Sequence, residues 1–124
     1  MKDTYEIYLI SDSTGETVDR IFTALRAQFK NFNYEINQFS FIRTENQVSE
    51  IIKKLKKNSI ILYTLVDKNL ANSLINKANK INVPCFSVLG NLINSFSAIL
   101  NQSSLSIPSR QHKLNEEYYD RVEA

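Results

Sequence analysis

The chain has 124 residues and a formal net charge of +2, from 15 basic and 13 acidic side chains. This length suits one domain that is large enough to bury a core without disulfides or metal. Hydrophobic residues make up 43% of the sequence and charged residues 23%, which argues against disorder. The balanced charge argues against a dedicated nucleic-acid binder, and the short apolar runs predict no membrane span. Because no signal peptide is visible, the expected compartment is the cytoplasm.

Two scarce residue types limit the chemistry of the chain. Cys85 is the only cysteine, so an internal disulfide and a zinc site of the clustered-cysteine kind are both excluded. Its apolar surroundings favour a buried structural role over a reactive thiol. The only glycines are Gly15 and Gly90, which are too few for a G-x-G-x-x-G fingerprint and too far apart for a Walker A loop. A conventional nucleotide-binding loop must therefore lie elsewhere.

The first expected element is a strand at residues 5–10, which runs into a hydroxyl-rich loop and then a helix. Residues 11–17 of this loop read SDSTGET. Backbone N–H groups at a helix start, together with short hydroxyl side chains, suit phosphate or another anion. The alternative is that these side chains only cap the helix, for which one or two would suffice. Ser13 and Glu16 fit a capping box, so we expect the helix to begin inside the loop.

Three further strands are expected, at residues 34–42, 60–66 and 84–89. The strand at 60–66 is almost wholly apolar, which indicates that helices cover both of its faces. Apolar residues spaced three and four apart predict one helix after each of the four strands. In chain order, these apolar positions are Val18, Ile21, Phe22, Leu25 and Phe29; Val48, Ile51, Ile52 and Leu55; Leu70, Leu74, Ile75, Ala78 and Ile81; and Leu92, Ile93, Phe96, Ile99 and Leu100.

The fold class that follows is α/β, with a layered Rossmann-like parallel sheet of about four strands, helices on both faces and right-handed crossovers. Thr44 with Gln47 is the expected cap of the second helix, and Asp67 that of the third. We expect this domain to span residues 1–101. Residues 102–124 are expected to form a linker and then the start of a helix capped by Asn115, which reaches Ala124 without a stop signal and so continues beyond this chain.

Four blocks of the sequence carry a family resemblance: ISDSTGET at 10–17, LYTLVD at 62–67, VPC at 83–85 and RQHKLNEEYY at 110–119. In this order they resemble the amino-terminal half of the bacterial pyruvate, phosphate dikinase regulatory protein family. The resemblance implies a bifunctional enzyme. One activity transfers phosphate from ADP to an active-site threonine of the dikinase, and the other removes it with inorganic phosphate, releasing pyrophosphate. A related branch acts on phosphoenolpyruvate synthase.

The resemblance also implies where the nucleotide binds. The P-loop of this family belongs to the carboxy-terminal half, so residues 102–124 would lead to a P-loop domain that this chain lacks. ADP and inorganic phosphate are therefore expected as substrates of the full-length protein. We expect the 124 residues alone to be inactive and to bind no cofactor firmly.

Asp12 is the candidate catalytic residue. It would repel a phosphate unless it serves as a base, a magnesium ligand or a hydrogen-bond acceptor for the substrate threonine hydroxyl. Arg43 ends the second strand and so can reach the same edge of the sheet, although a surface arginine is the simpler interpretation. The candidates for binding phosphate or the partner protein are Ser11, Ser13, Thr14, Gly15, Thr17, Arg43, Arg110 and His112. Ser109 stands where many family members have glycine, which leaves the orientation of Arg110 and His112 open.

Two other functions remain open for the sequence. The chain could be a non-catalytic docking or dimerisation module, which includes a homodimer. It could also be a stand-alone domain that binds a small phosphorylated ligand. A docking module needs no polar cluster at the edge of the sheet, whereas the other functions do.

Overall fold

The computed structural model describes residues 3–105. The elements are, in chain order, β1 (Tyr5–Ser11), α1 (Glu16–Arg26), β2 (Tyr34–Phe39), α2 (Glu45–Lys54), β3 (Ser59–Thr64), α3 (Lys68–Lys80), β4 (Cys85–Ser87) and α4 (Gly90–Leu100). All four strand–helix units are present, although β2, β3 and β4 end earlier than their sequence patterns indicate. The division at residue 101 stays a prediction, because most of the expected linker and the expected helix lie outside the described residues, together with Arg110 and His112.

The four strands form one parallel sheet in the order β2-β1-β3-β4. β1 pairs with β2 from Tyr5 opposite Tyr34 onwards, and with β3 from Glu6 opposite Ser59 onwards. The chain leaves β1 toward β2 on one side, while β3 lies on the other side. The carboxyl ends of β1 and β3 therefore mark the point where the strand order reverses, which is where open α/β sheets bind ligands.

Helices cover both faces of the sheet, as expected, and the two faces differ. α1 contributes Val18 and Phe22 to one face, where they pack on Ile7, Leu9 and Leu62. α2 and α3 cover the other face, with the buried residues Val48, Ile51, Leu70, Leu74 and Ala78. Full burial of each large apolar side chain stabilises the fold by about 1.5–3 kcal/mol. These two clusters fix the strands whose ends form the candidate site.

The expected caps of α2 and α3 are confirmed. Gln47 N donates to Thr44 Oγ1 at 3.2 Å, and Thr44 N donates to Gln47 Oε1 at 3.0 Å, which completes a capping box. At α3, Asn69 N and Leu70 N donate to Asp67 Oδ1 at 2.9 and 3.2 Å.

The capping box expected at α1 was wrong. Its N-cap residue is Gly15, with φ of 91°, and the helix begins at Glu16 without a side-chain hydrogen bond to the cap position. Ser13 lies in a bend just after β1, where its carbonyl accepts a hydrogen bond from Phe41 N at 2.9 Å. The helix begins inside the loop, as expected, but with Gly15 and not Ser13 at the N-cap.

The helix at α4 is confirmed, but its expected buried face is not. None of its residues is buried, and Ile99 is 77% exposed. β4 has three residues, and no strand lies beyond it in the described part of the chain, so α4 has little sheet to cover. Other apolar residues of the predicted helix faces are also largely exposed: Ile21, Leu25, Phe29 and Ile81.

Among residues 3–105, no helix combines the length and the apolar character that crossing a membrane requires.

Candidate functional site

The loop that follows β1 is held between the backbones of its two neighbours. On one side Phe41 N donates to Ser13 O at 2.9 Å, and on the other side Asp12 N donates to Thr64 O at 3.2 Å. The side chains of this segment are consequently shielded from solvent: Ser11, Asp12 and Ser13 are 2%, 5% and 7% exposed. The polar loop is thus a fixed part of the sheet edge.

Asp12 is positioned by two hydrogen bonds from different parts of the chain. Val66 N donates to Asp12 Oδ2 at 2.8 Å, and Arg43 Nε donates to the backbone carbonyl of Asp12 at 3.0 Å. Burial raises the pKa of the Asp12 carboxyl, and backbone hydrogen bonds and the charge of Arg43 oppose this rise only in part. The ionised carboxylate is therefore a stronger base than that of an exposed aspartate.

A small cleft opens beside this carboxylate. It is lined by residues 11–17 together with Thr64, Val66 and Leu89, and its cavity volume is about 30 Å³. That volume gives room for about one water molecule or one hydroxyl group. The rim of the cleft, where Thr14 and Glu16 are exposed, opens to solvent.

The amino terminus of α1 borders the cleft. The first intrahelical hydrogen bond is from Asp19 N to Gly15 O at 3.0 Å. Before it, Glu16 N makes a long contact of 3.4 Å with Thr14 Oγ1. Thr17 N lies in the same first turn, where N–H groups lack partners within the helix and form the positive end of the helix dipole. These donors favour negative charge that develops in the cleft.

Gly15 makes this turn possible for two reasons. Its φ of 91° is a conformation that side chains rarely adopt. In addition, a Cβ atom at this position would lie 3.0 Å from Gln38 Nε2 and 3.3 Å from Ser40 Oγ. Ser40 Oγ itself donates to Thr14 O at 2.8 Å, so the end of β2 supports the turn.

The structure brings most of the sequence candidates together. Ser11, Asp12, Ser13, Thr14, Gly15 and Thr17 all line the cleft. Arg43 does not line it, but contacts the loop from the β2 side, with its guanidinium 5.6 Å from the centroid of the Phe41 ring. Arg110 and His112 lie outside residues 3–105.

Two contributors to the site had no signal in the sequence. Val66 acts through its backbone N–H, which every residue except proline carries. Phe41 lies beside the loop with φ of 56°, and no local motif marks it. Cys85, which we expected to be buried, is only half-buried; burial nevertheless raises the pKa of its thiol to about 12, so the thiol stays protonated at neutral pH.

Known proteins resemble this chain over nearly its whole length. A pyruvate, phosphate dikinase regulatory protein of Pelagibacter ubique is 60% identical over 126 residues, covering 100% of this chain and 46% of the relative. Relatives of the same name from Rhodopseudomonas palustris and Alkaliphilus oremlandii are 32% and 35% identical over 121 and 119 residues. These matches cover 97% and 95% of this chain and 43% of each relative, so the chain spans about half the length of the curated relatives it matches.

A family-model match that spans all four sequence blocks confirms the family resemblance. Residues 7–124 match the family model described as kinase/pyrophosphorylase. This match includes β1 from Ile7 onwards, the loop and the other described residues of the candidate site. The chain therefore belongs to the kinase/pyrophosphorylase family.

Proposed function

We propose that this chain is part of a cytoplasmic regulator that phosphorylates and dephosphorylates an active-site threonine of pyruvate, phosphate dikinase. The phosphate donor would be ADP, and removal would proceed by phosphorolysis with inorganic phosphate. The observation that carries the proposal is the buried Asp12 carboxylate, which Val66 N fixes in a cleft where the strand order reverses. The names of the relatives support the choice of target.

In this mechanism Asp12 acts on the threonine hydroxyl. Val66 N engages Oδ2 of Asp12, and Oδ1 is the oxygen proposed to accept the threonine O–H. Asp12 takes the proton as the threonine oxygen bonds to the β-phosphorus of ADP and AMP leaves. In the reverse activity, inorganic phosphate attacks the phosphothreonine, pyrophosphate forms, and the threonine oxygen recovers its proton from Asp12.

The size and charge of the cleft support a hydroxyl rather than a free phosphate as its direct occupant. Asp12 and Glu16 both line the cleft; the charge of Arg43 offsets that of Asp12 in part, and Arg20 forms an ion pair of 2.6 Å with Glu16. Two carboxylates repel a phosphate dianion, whereas the cavity of about 30 Å³ accepts a hydroxyl. The phosphoryl group would approach from the rim, toward the first turn of α1. A magnesium ion bound by Asp12 is the remaining alternative.

The nucleotide site is proposed to lie outside this chain, because Gly15 and Gly90 are too far apart to form a P-loop. A chimera tests the role of Asp12 in a complete enzyme: this chain replaces the matching 46% of the Pelagibacter ubique relative. We expect Asp12→Asn in the chimera to reduce both transfer directions by at least about 100-fold, as loss of a general base does. Labelled phosphate on the dikinase threonine and released pyrophosphate are the measurements.

Asp3→Asn is the matched control, because Asp3 is exposed and lies outside the cleft. Its transfer rates should equal those of the unmodified chimera. Rates for Asp12→Asn within about twofold of the control would show that Asp12 is not the base.

A docking or dimerisation module is the second candidate function, and one observation favours it. The exposed face of α4 carries Leu92, Phe96 and Ile99, which are 57%, 58% and 77% exposed. Contiguous apolar surface of this kind marks interaction sites. Calorimetry of the chain with the dikinase, with phosphate and with pyrophosphate separates the functions. Binding to phosphate alone would indicate a small-ligand domain.

A further inference from the structure

Phe41 has a backbone conformation that does not suit its side chain. Within residues 3–105, four residues other than glycine have positive φ: Phe41 at 56°, Asn58 at 64°, Asn82 at 58° and Asn101 at 53°. Asparagine tolerates this region, whereas a bulky residue is a genuine outlier there. The strain therefore falls on Phe41 alone among these four.

Backbone contacts hold this conformation. Phe41 N donates to Ser13 O at 2.9 Å, and Gln47 Nε2 donates to Phe41 O at 3.2 Å. Gln47 Oε1 in turn accepts from Arg43 N at 2.7 Å. An asparagine at position 41 would keep both backbone bonds and relieve the strain, so none of these contacts needs the aromatic ring.

The ring itself contributes little to the core. Phe41 is 54% exposed, although phenylalanine is among the residues that folding most readily buries. Its contact is with Arg43, whose guanidinium lies 5.6 Å from the ring centroid. Arg43 Nε also donates to Asp12 O, so the ring, the guanidinium and Asp12 form one continuous row beside the cleft.

We propose that Phe41 and Arg43 form a docking contact for the dikinase segment that presents its threonine to Asp12. This inference rests on the proposed function. Aromatic residues and arginine are the types most enriched at the energetic centres of protein interfaces. The exposed ring fits an apolar side chain of the target. Asp12 O engages Arg43 through Nε, and the Nη atoms of the same guanidinium fit a carboxylate next to that side chain.

The test compares binding with stability in the 124-residue chain. Phe41→Asn should weaken binding to purified dikinase by about tenfold or more, as the loss of an interface aromatic does. Its melting temperature should stay the same or rise, because the strain at position 41 is relieved. Phe41→Tyr, which keeps the ring, should bind within about twofold of the wild type. Phe29→Asn is the control, which should bind like the wild type, since Phe29 is 57% exposed and lies beyond the end of α1 that is far from the cleft.

Each result has one meaning. Unchanged binding of Phe41→Asn would overturn the docking contact and leave the proposed function intact. The melting temperature of Phe41→Asn could instead fall as much as removal of a buried aromatic side chain would lower it. That result would show that the ring supports folding, and it would overturn the inference too. No binding of the wild-type chain to the dikinase would contradict the proposed target, and the docking contact with it.

Discussion

Asp12 is a buried acid, and ionising it lowers the stability of the folded protein by a measurable amount. Burial is the main cause of its raised pKa, and the charge of Asp67 adds to it. At a pH below the ordinary aspartate pKa, Asp12 is protonated in the folded and the unfolded chain, and its charge has no effect on stability. As the pH rises above the ordinary aspartate pKa, the unfolded chain ionises Asp12 before the folded protein does, so the folded state loses stability relative to the unfolded state until the pH passes the raised pKa.

Asp12→Asn should therefore gain stability relative to the wild type as the pH rises from about 4 to 7. Asparagine keeps an oxygen to accept the hydrogen bond from Val66 N, so the fold should persist. Melting temperatures of both proteins across this range measure the difference, with Asp3→Asn as the reference for an exposed acid. A difference that shrinks with rising pH would mean that the native state stabilises the ionised carboxylate.

Some residues of the site act through their side chains and others through their backbone, and only the first group could be predicted from the sequence. The run of hydroxyls at the end of β1 indicated Ser11, Ser13 and Thr14, because capping a helix needs only one or two such side chains. Val66 contributes its backbone N–H group, and Phe41 contributes a backbone segment with positive φ. Neither property is encoded by residue type, so no local pattern could have predicted them.

Two similar sequence patterns at helix starts gave different outcomes. Thr44 and Gln47 form a capping box at α2, whereas Ser13 and Glu16 form none at α1. The difference arises from tertiary structure, since the hydrogen bond from Phe41 N fixes Ser13 beside β2 and Gly15 takes the N-cap position of α1. A capping pattern in the sequence therefore does not show by itself which residue will occupy the N-cap position.

This contrast predicts different costs for two threonine substitutions. Thr44→Ala should lower the free energy of unfolding by about 1 kcal/mol, because it removes a formed cap. Thr14→Ala should cost less than about 0.5 kcal/mol, since its contact with Glu16 N is long and exposed. Urea denaturation of the two variants measures both values. Equal costs would show that the Thr14 contact stabilises α1 as much as the capping box stabilises α2.

For the molecule as a whole, alternating apolar patterns were enough to predict four strand–helix units and a parallel sheet with helices on both faces. They were not enough to predict which helix faces are covered. The spacing of Leu92, Phe96 and Ile99 shows that α4 has an apolar side, but their burial depends on which other surface lies against it. That surface is absent from residues 3–105, so periodicity predicted the helix correctly and its burial wrongly.

The exposed side of α4 leads to a prediction about assembly. We expect the 124-residue chain to self-associate as its concentration rises, and Ile99→Glu to weaken this association without lowering the melting temperature, since Ile99 is 77% exposed. Sedimentation velocity at several concentrations measures the association. Asn94→Glu adds the same charge at an exposed polar position of α4 and serves as the control. Equal effects of the two substitutions would indicate that net charge, and not the apolar side, controls association.

The hydrogen bond from Val66 N to Asp12 Oδ2 joins residues 54 positions apart, and it also bears on the order of events in folding. β1 is made first but lies inside the sheet, and its pairing with β3 must wait until residues 59–64 have been synthesised. Contacts of such separation form slowly, because a long loop must close before they stabilise anything. Until β3 docks, Asp12 is an ordinary solvent-exposed acid on a nascent chain. The pKa of Asp12 should therefore rise from its ordinary value when β3 pairs with β1.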